Sequence, residues 1–267
     1  MFIIKSIILG IIQGLTEFLP VSSSGHLVLA NHFLGFDIQD ISFEIMLHLG
    51  TLLSVIIYFR NDIVALLSSI LRINVKTEEM VNNRKVLWFL FIGTIVTGIL
   101  GLLIKPLVER IFYQPEFAAS MLIVTGIVVY LSDLIEPKQF EIHQTGIKRA
   151  VIIGISQAFA ILPGISRSGS TIATSLFVGL KRTDAARFSF LLSIPAIIGV
   201  TIFEFRKFSG ILRQYLPGYL LGALAAFISG YLVISLLMTL IKHRKLRIFS
   251  FYVWSVALIT LFLIMMS

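Results

Sequence analysis

Residues 163–171 read PGISRSGST, and they lie between the apolar runs AVIIGISQAFAIL (150–162) and TIATSLFVGL (171–180). Arg167 is the only charged residue from Ala150 to Leu180. A break rich in Pro, Gly and Ser between two short apolar segments predicts two helices joined by a polar turn. At membrane depth such a break is tolerated only where protein or a water-filled cavity surrounds it. We therefore interpret 150–180 as a re-entrant helical hairpin, with a kinked spanning helix as the alternative.

The composition indicates an all-α polytopic membrane protein. Of the 267 residues, 57% are hydrophobic and 13% are charged, and the mean hydropathy is +0.96, whereas soluble proteins carry about 25% charged residues. The chain has no Cys, which excludes thiol catalysis and zinc–thiolate sites. The net charge of +8 is explained by the positive-inside bias better than by nucleic-acid binding, so no nucleic acid is expected as a partner. Six segments are long and apolar enough to span a bilayer: 42–59, 86–104, 117–135, 188–204, 217–241 and 248–266.

A second hairpin is predicted at 6–19 and 26–35, on either side of Pro20, three serines and Gly25. A shift of 144 residues makes nine of the 29 positions in 7–35 identical to 151–179 without a gap. An internal duplication is expected, with repeat 1 at about 1–135 and repeat 2 at about 147–267 in a single membrane domain. The identical pairs are Ile8/Ile152, Gly10/Gly154, Ile11/Ile155, Gln13/Gln157, Ser22/Ser166, Ser24/Ser168, Gly25/Gly169, Phe33/Phe177 and Gly35/Gly179.

The orientation of the two halves follows from counting crossings. Each half contains one hairpin, which does not cross, and three spanning helices, so the second half is inverted relative to the first. Fifteen of the 22 Lys and Arg residues fall on one side and six on the side of both termini, which places the termini outside. The hairpins then enter from opposite faces, and their tips can meet near the midplane, as in many transport proteins.

The first tip, QGLTEFLPVSSSGH (13–26), concentrates reactive side chains. Gln13 and Glu17 are four residues apart and share one helix face. An ionisable residue at membrane depth is by default a functional hypothesis. With the Ser22, Ser23 and Ser24 hydroxyls and the His26 imidazole nearby, the tip could supply a metal ligand or base, a nucleophile and an acid. The alternative is that the serines cap the next helix while Glu17 only pairs with Arg167.

The second tip favours a phosphate ligand. Gly164 and Gly169 permit close backbone approach, and a helix N-terminus beside a guanidinium attracts an anion. The string resembles a P-loop, but Ser170 stands where the lysine belongs and no strand precedes it. The alternative is that Arg167 forms a buried ion pair with Glu17 or Glu44, and this pair could open for a ligand.

Glu44 and His48 are four residues apart in the helix after the first hairpin. Two interpretations stay open for them: they support the site from behind, or they serve packing and a structural hydrogen bond.

The motifs EFLPVSSSGH (17–26) and PGISRSGST (163–171), continued by FEIMLHLGTLL (43–53) and FSFLLSIPA (188–196), resemble the undecaprenyl-diphosphatase family of the bacitracin-resistance type over essentially the whole chain. The resemblance implies an integral phosphatase of the bacterial plasma membrane. It would convert undecaprenyl diphosphate to undecaprenyl phosphate and inorganic phosphate, recycling the lipid carrier of cell-wall synthesis and conferring bacitracin resistance. It also implies a divalent cation, Mg²⁺ or Ca²⁺, and a polyprenyl diphosphate lipid as substrate.

Carried over residue by residue, the resemblance implies that Glu17, Ser23, His26 and Arg167 are catalytic. One departure stands out: the family's first acidic position, often Glu, is Gln13 here, so Glu17 carries most of any metal binding and Gln13 is at most a weak ligand. Ser23 is the expected nucleophile, with His26 or an activated water as alternatives. The expected diphosphate-binding residues are Ser22, Ser24, Gly164, Ser166, Arg167, Ser168, Gly169, Ser170 and Thr171.

The inverted repeat alone would favour a different function, a membrane transporter or lipid-phosphate flippase. The reactive cluster of the first tip favours the hydrolase, since transport needs charge complementarity without a Ser–Ser–Ser–Gly–His run beside a carboxylate. The oligomeric state stays open, a homodimer included, and membrane lipids are the remaining expected partners.

Overall fold

The computed structural model describes residues 2–33, 41–71, 77–111, 114–136, 139–204, 215–242 and 246–266. In these residues the chain forms eleven α-helices and one short 3-10 helix, Ile142–Gln144. The α-helices are α1 Phe2–Phe18, α2 Ser23–Phe33, α3 Ile41–Tyr58, α4 Arg60–Leu71, α5 Glu78–Ile111, α6 Pro115–Leu134, α7 Gly146–Phe159, α8 Arg167–Phe177, α9 Arg182–Phe203, α10 Leu216–Lys242 and α11 Arg247–Met266.

Both broken segments are helix–turn–helix units, as predicted. α1 ends before Pro20, which has no backbone N–H to continue the helical ladder, and Ser22 then turns the chain with a φ of 69°. α7 ends before Pro163, and Gly164 turns the chain with a φ of 92°. The four helices have 17, 11, 14 and 11 residues, and at about 1.5 Å per residue only the first comes near a full crossing. Residues 34 and 35 of the first predicted hairpin lie outside the described residues.

The six predicted spanning segments all correspond to helices. By length and composition α5, α6, α9, α10 and α11 can each cross a membrane. The sixth, α3, passes the same test together with α4, from which it is bent by 76°. The helix α4 has 12 residues and is too short to span a bilayer by itself. The chain is therefore a multi-pass membrane protein.

Each hairpin packs against a spanning helix of the other half. α1 lies along α10, where a Cβ added to Gly10 would come within 2.2 Å of the Gly222 carbonyl oxygen. α7 lies along α5, where a Cβ added to Gly154 would come within 2.7 Å of the Gly93 carbonyl oxygen. Small residues let helix backbones approach this closely in a membrane. The duplication itself stays a prediction.

Two apolar clusters fix the positions of the hairpin tips. At the end of α1, the fully buried Phe18 ring meets the Phe190 ring edge-on at 5.6 Å. On the other side of the first tip, Val21 packs with Leu122 of α6 and Val253 of α11. The first tip is therefore held between α9 on one side and the α6–α11 pair on the other.

We expect Gly10→Ala to destabilise the protein because its methyl group would meet backbone atoms of Gly222 that cannot move alone. Overpacking of this kind costs about 1–3 kcal/mol. Thermal unfolding in detergent measures the effect. The matched control is Gly98→Ala on α5, where a Cβ meets nothing within 4 Å, and its midpoint should be unchanged or higher. Equal midpoints for the two variants would contradict the proposed role of the Gly10 contact.

Candidate active site

The two hairpin tips touch each other through small residues. A Cβ added to Gly25 would lie 3.0 Å from Gly164 Cα, and one added to Gly169 would lie 3.2 Å from Pro20 Cβ. The Ser168 hydroxyl donates a hydrogen bond of 2.9 Å to the Leu19 carbonyl. The start of α8 is therefore seated directly on the turn that follows α1.

Glu17 stands at the centre of this contact. Its side chain is only 5% exposed, and Arg167 Nη2 lies 2.5 Å from Oε1. Oε2 accepts a hydrogen bond of 2.9 Å from Gln13 Nε2 and another from the Ser23 hydroxyl. Every donor in this set favours the ionised carboxylate. Of the two ion pairs that the sequence left open for Arg167, the structure forms the one with Glu17.

The guanidinium of Arg167 is not fully used by this pair. Nη1 is buried and has no hydrogen-bond partner among the residues that the structure describes. A buried polar group without a partner is rare in folded proteins and calls for an explanation. The Oε1 atom of Gln13, one helical turn before Glu17, is unpartnered in the same part of the chain. The site thus has one unused donor and one unused acceptor beside the carboxylate.

Ser23 and Arg167 occupy equivalent positions, since each is the first residue of the second helix of its hairpin. The residue before each one caps that helix. Ser22 Oγ accepts a hydrogen bond of 3.2 Å from the Gly25 N–H, and Ser166 Oγ accepts one of 3.0 Å from the Gly169 N–H. These caps fix the first turns of α2 and α8, from which Ser23 and Arg167 both reach the Glu17 carboxylate.

Other predicted diphosphate-binding residues also build the tips. Ser24 Oγ lies 3.3 Å from Ser22 Oγ, and Ser168 Oγ lies 3.2 Å from Ser166 Oγ. The Thr171 hydroxyl is buried and donates to the Arg167 carbonyl at 2.8 Å. It also lies close to the hydroxyl of Ser189 on α9. Their hydrogen bonds hold the backbone in place.

The remaining members of that set differ in how far they can reach a ligand. The Gly164 carbonyl accepts a hydrogen bond of 2.7 Å from Thr125 of α6, whose hydroxyl also accepts from the Ser166 N–H at 3.0 Å. The Gly169 N–H is already occupied by the cap described above, so that backbone donor, expected to face a phosphate, is not free. Ser23, Ser24, Arg167 and Ser170 are only half-buried, and they leave polar surface for a ligand.

His26 lies in the first turn of α2, and its ring nitrogens contact groups other than the carboxylate. Its Nδ1 is 2.8 Å from the Ser22 carbonyl oxygen, and its Nε2 is 2.9 Å from the Tyr252 hydroxyl. The sequence predicted an acid or base here, and the structure directs both ring nitrogens to these two partners. Tyr252, on α11, carried no sequence signal because 226 residues separate it from His26.

His48 is closer to the site than sequence reasoning indicated. Its Nε2 lies 3.7 Å from Glu17 Oε2, and its Nδ1 lies 2.8 Å from the Glu44 carbonyl oxygen. The four-residue spacing of Glu44 and His48 was the available signal. The structure gives His48 a place at the carboxylate, whereas the main-chain oxygen of Glu44 orients its ring.

Residues that could hold a divalent cation are few. No group of three or more His, Cys, Asp or Glu side chains is arranged for a metal ion within the described parts of the chain. Glu17 and the unpartnered Gln13 Oε1 are the candidate oxygen ligands. Mg²⁺ commonly binds through one or two carboxylates plus substrate phosphates, so this small donor set fits a cation that arrives with a phosphorylated substrate.

The fold and site define a polytopic membrane protein in which two broken helices meet around a buried carboxylate–guanidinium pair, an arrangement suited to an anionic ligand. Comparison with known sequences identifies the family. The chain belongs to the family described as bacitracin resistance protein BacA, whose model matches residues 6–259.

Curated relatives are similar over almost their whole lengths. A protein of Methanosphaera stadtmanae named undecaprenyl-diphosphatase is 42% identical, with 98% of each chain covered. A protein of the same name from Methanobrevibacter smithii is 40% identical, over 97% of this chain and 96% of the relative. Another from Syntrophotalea carbinolica is 41% identical, over 95% of this chain and 96% of the relative.

We expect Glu17→Gln and Arg167→Gln to be more destabilising singly than together. Each single change leaves a buried charge without its counter-ion, at a cost of about 3 kcal/mol, whereas the double change removes both charges. Thermal unfolding of the three variants in detergent tests this. A double variant whose loss equals the sum of the single losses would show that the two side chains are not energetically coupled.

Proposed function

We propose that this protein hydrolyses undecaprenyl diphosphate to undecaprenyl phosphate and inorganic phosphate, the activity for which its relatives are named. The observation that carries the proposal is the unpartnered Arg167 Nη1 beside the Glu17 carboxylate, at the point where the two tips meet. A guanidinium with a free donor at membrane depth is suited to the phosphates of a lipid headgroup.

The ion pair with Glu17 would be the resting state of the site. A diphosphate oxygen would first bind the free Nη1, and a second oxygen would then replace Glu17 Oε1 on Nη2. Arg favours such two-point binding because its planar donors match the spacing of phosphate oxygens. Once Arg167 has left, Glu17 remains hydrogen-bonded to Ser23 and Gln13. Without its counter-ion the carboxylate accepts a proton more readily, and the nearest proton is that of the proposed nucleophile.

Ser23 is the proposed nucleophile because its hydroxyl already donates to Glu17 Oε2. Its oxygen would form a bond to the terminal phosphorus while the bond from that phosphorus to the bridging oxygen breaks and undecaprenyl phosphate leaves. The hydroxyl proton would pass to Glu17. A water molecule would then cleave the phosphoserine, releasing inorganic phosphate and restoring the hydroxyl. Positioning and charge stabilisation are the main requirements of such a transfer.

The proposed divalent cation, Mg²⁺ or Ca²⁺, would be held by Glu17, by Gln13 Oε1 and by oxygens of the diphosphate itself. When bound it would neutralise part of the charge on the phosphates. Gln13 is well placed for this, because its amide nitrogen is fixed on Glu17 and its oxygen is unused.

The proposed setting is the plasma membrane, with both termini outside and the mouth of the first hairpin on the outer face. Some charges used in that prediction, such as Arg206 and Lys245, lie outside the described residues. Membrane lipids would surround the spanning helices, and the polyprenyl tail would lie among them in a groove between the halves. A homodimer stays a prediction, which the mass of the detergent-solubilised protein would test.

Arg167→Ala should abolish phosphate release from a prenyl diphosphate, because the variant loses the cation that neutralises the bound diphosphate. The purified protein is assayed in detergent with diphosphate lipids of two chain lengths, with and without EDTA. The control is Arg110→Ala, an exposed residue at the end of α5, which should retain normal turnover. Near-normal turnover by Arg167→Ala in a folded sample would contradict the assignment.

Gln13→Glu should lower the cation concentration needed for half-maximal phosphate release. A second carboxylate 2.9 Å from Glu17 would repel it without a cation and would add a charged ligand with one. Thermal unfolding gives an independent measurement: the variant should be less stable than the wild type in EDTA and should gain more stability from Mg²⁺. An unchanged cation requirement would argue against Gln13 as a ligand.

A further inference from the structure

A contact outside the Glu17–Arg167 pair joins α11 to the first tip. Tyr252, in the second turn of α11, places its hydroxyl 2.9 Å from His26 Nε2. The two rings are nearly parallel, 6° apart, with their centroids separated by 5.6 Å. The contact therefore links the last helix of the chain to an imidazole in the first turn of α2.

The other ring nitrogen decides which form of His26 is present. Nδ1 lies 2.8 Å from the Ser22 carbonyl oxygen, and a carbonyl oxygen only accepts hydrogen bonds. Nδ1 must therefore carry the hydrogen, and in the neutral ring Nε2 is the acceptor. The Tyr252 hydroxyl then donates to Nε2, the single basic atom of this imidazole.

Apolar packing of α11 on the first tip brings Tyr252 close to His26. Its neighbour Val253 is fully buried and packs with Val21 of the first turn, and Leu29 of α2 belongs to the same apolar cluster. The Tyr252 ring itself remains 46% exposed, so burial of the ring alone does not fix its orientation. The hydrogen bond to His26 is the contact that does.

We propose that Tyr252 is a positioning residue for His26 in diphosphate hydrolysis, an inference that rests on the function proposed above. With Ser22 holding one nitrogen and Tyr252 the other, the imidazole is fixed in rotation and tautomer, with its basic atom on the Tyr252 hydroxyl. A proton acceptor or donor acts efficiently only when its orientation is set in advance.

The test is Tyr252→Phe, which removes the hydroxyl and keeps the ring. The control is Tyr130→Phe, because the Tyr130 ring also packs on α11, with its centroid 5.7 Å from that of Trp254. We expect Tyr252→Phe to lower kcat about 2- to 10-fold with KM unchanged, the range that one neutral hydrogen bond is worth. Tyr130→Phe should leave both constants unchanged.

A spectroscopic measurement separates positioning from packing. The chain has five His residues, so ¹⁵N-histidine labelling gives few ring signals, and His26→Asn identifies those of His26. In Tyr252→Phe the Nε2 signal should move toward that of a ring nitrogen without a hydrogen bond, while Tyr130→Phe should leave it in place.

Unchanged kcat in Tyr252→Phe, an equal fall in both Phe variants, or an unmoved Nε2 signal would each overturn the inference while the wild type still turns over. Failure of the wild type to release phosphate would instead overturn the proposed function. The two failures are therefore distinguishable within one set of samples.

Discussion

The ion pair between Glu17 and Arg167 is the constraint on which the rest of the structure depends. Each side chain carries a charge to a depth where it would cost several kcal/mol alone, and each is tolerable because the other lies 2.5 Å away. The partners come from different hairpins, so the turns of the two hairpins must lie next to each other. Pro20 and Gly164 supply the breaks, and the exchanged packing of α1 on α10 and of α7 on α5 brings the two tips together.

The pair leaves hydrogen-bonding capacity unused. Each unused buried polar atom costs free energy, so stability alone would favour a partner for it. Here Arg167 keeps a free donor and Gln13 a free acceptor on either side of the carboxylate. Buried polar atoms without partners are characteristic of functional sites, where a ligand completes the hydrogen bonding.

The sequence could predict the parts of this arrangement that depend on local pattern. Hydropathy and breaks in the chain are local properties, so the spanning helices and both hairpins were predicted, most of them close to their observed bounds. The helix α5, Glu78–Ile111, extends well beyond the predicted 86–104 at both ends, and α9 begins at Arg182 instead of residue 188. An acidic partner for Arg167 was also expected, because a lone charge at membrane depth needs one, but the sequence left Glu17 and Glu44 both open. The serines were ambiguous, since the residue types that bind phosphate are those that cap helices. The structure gives Ser22 and Ser166 the capping geometry.

Contacts that depend on how distant helices pack could not be predicted. His48 gave a weak signal through its spacing from Glu44, but nothing in that spacing showed which neighbouring helix its ring would face. Tyr252 gave none, because its meeting with His26 depends on α11 lying against the first tip. That placement depends on apolar contacts such as Val21 with Val253, which have no distinctive pattern in a chain where most residues are apolar.

The two halves differ in chemistry at the positions that matter most. The 144-residue shift relates Ser23 to Arg167, and it relates Glu17 to Ile161, so only one tip carries the carboxylate. Gln13 donates to Glu17, whereas its counterpart Gln157 donates to a threonine of α5 at 3.1 Å. With a carboxylate at both tips, the site would hold two like charges at close range and would repel a diphosphate. The site instead holds one acid, with a hydroxyl and a guanidinium at equivalent helix starts, which gives it an anion-binding side and a proton-accepting side.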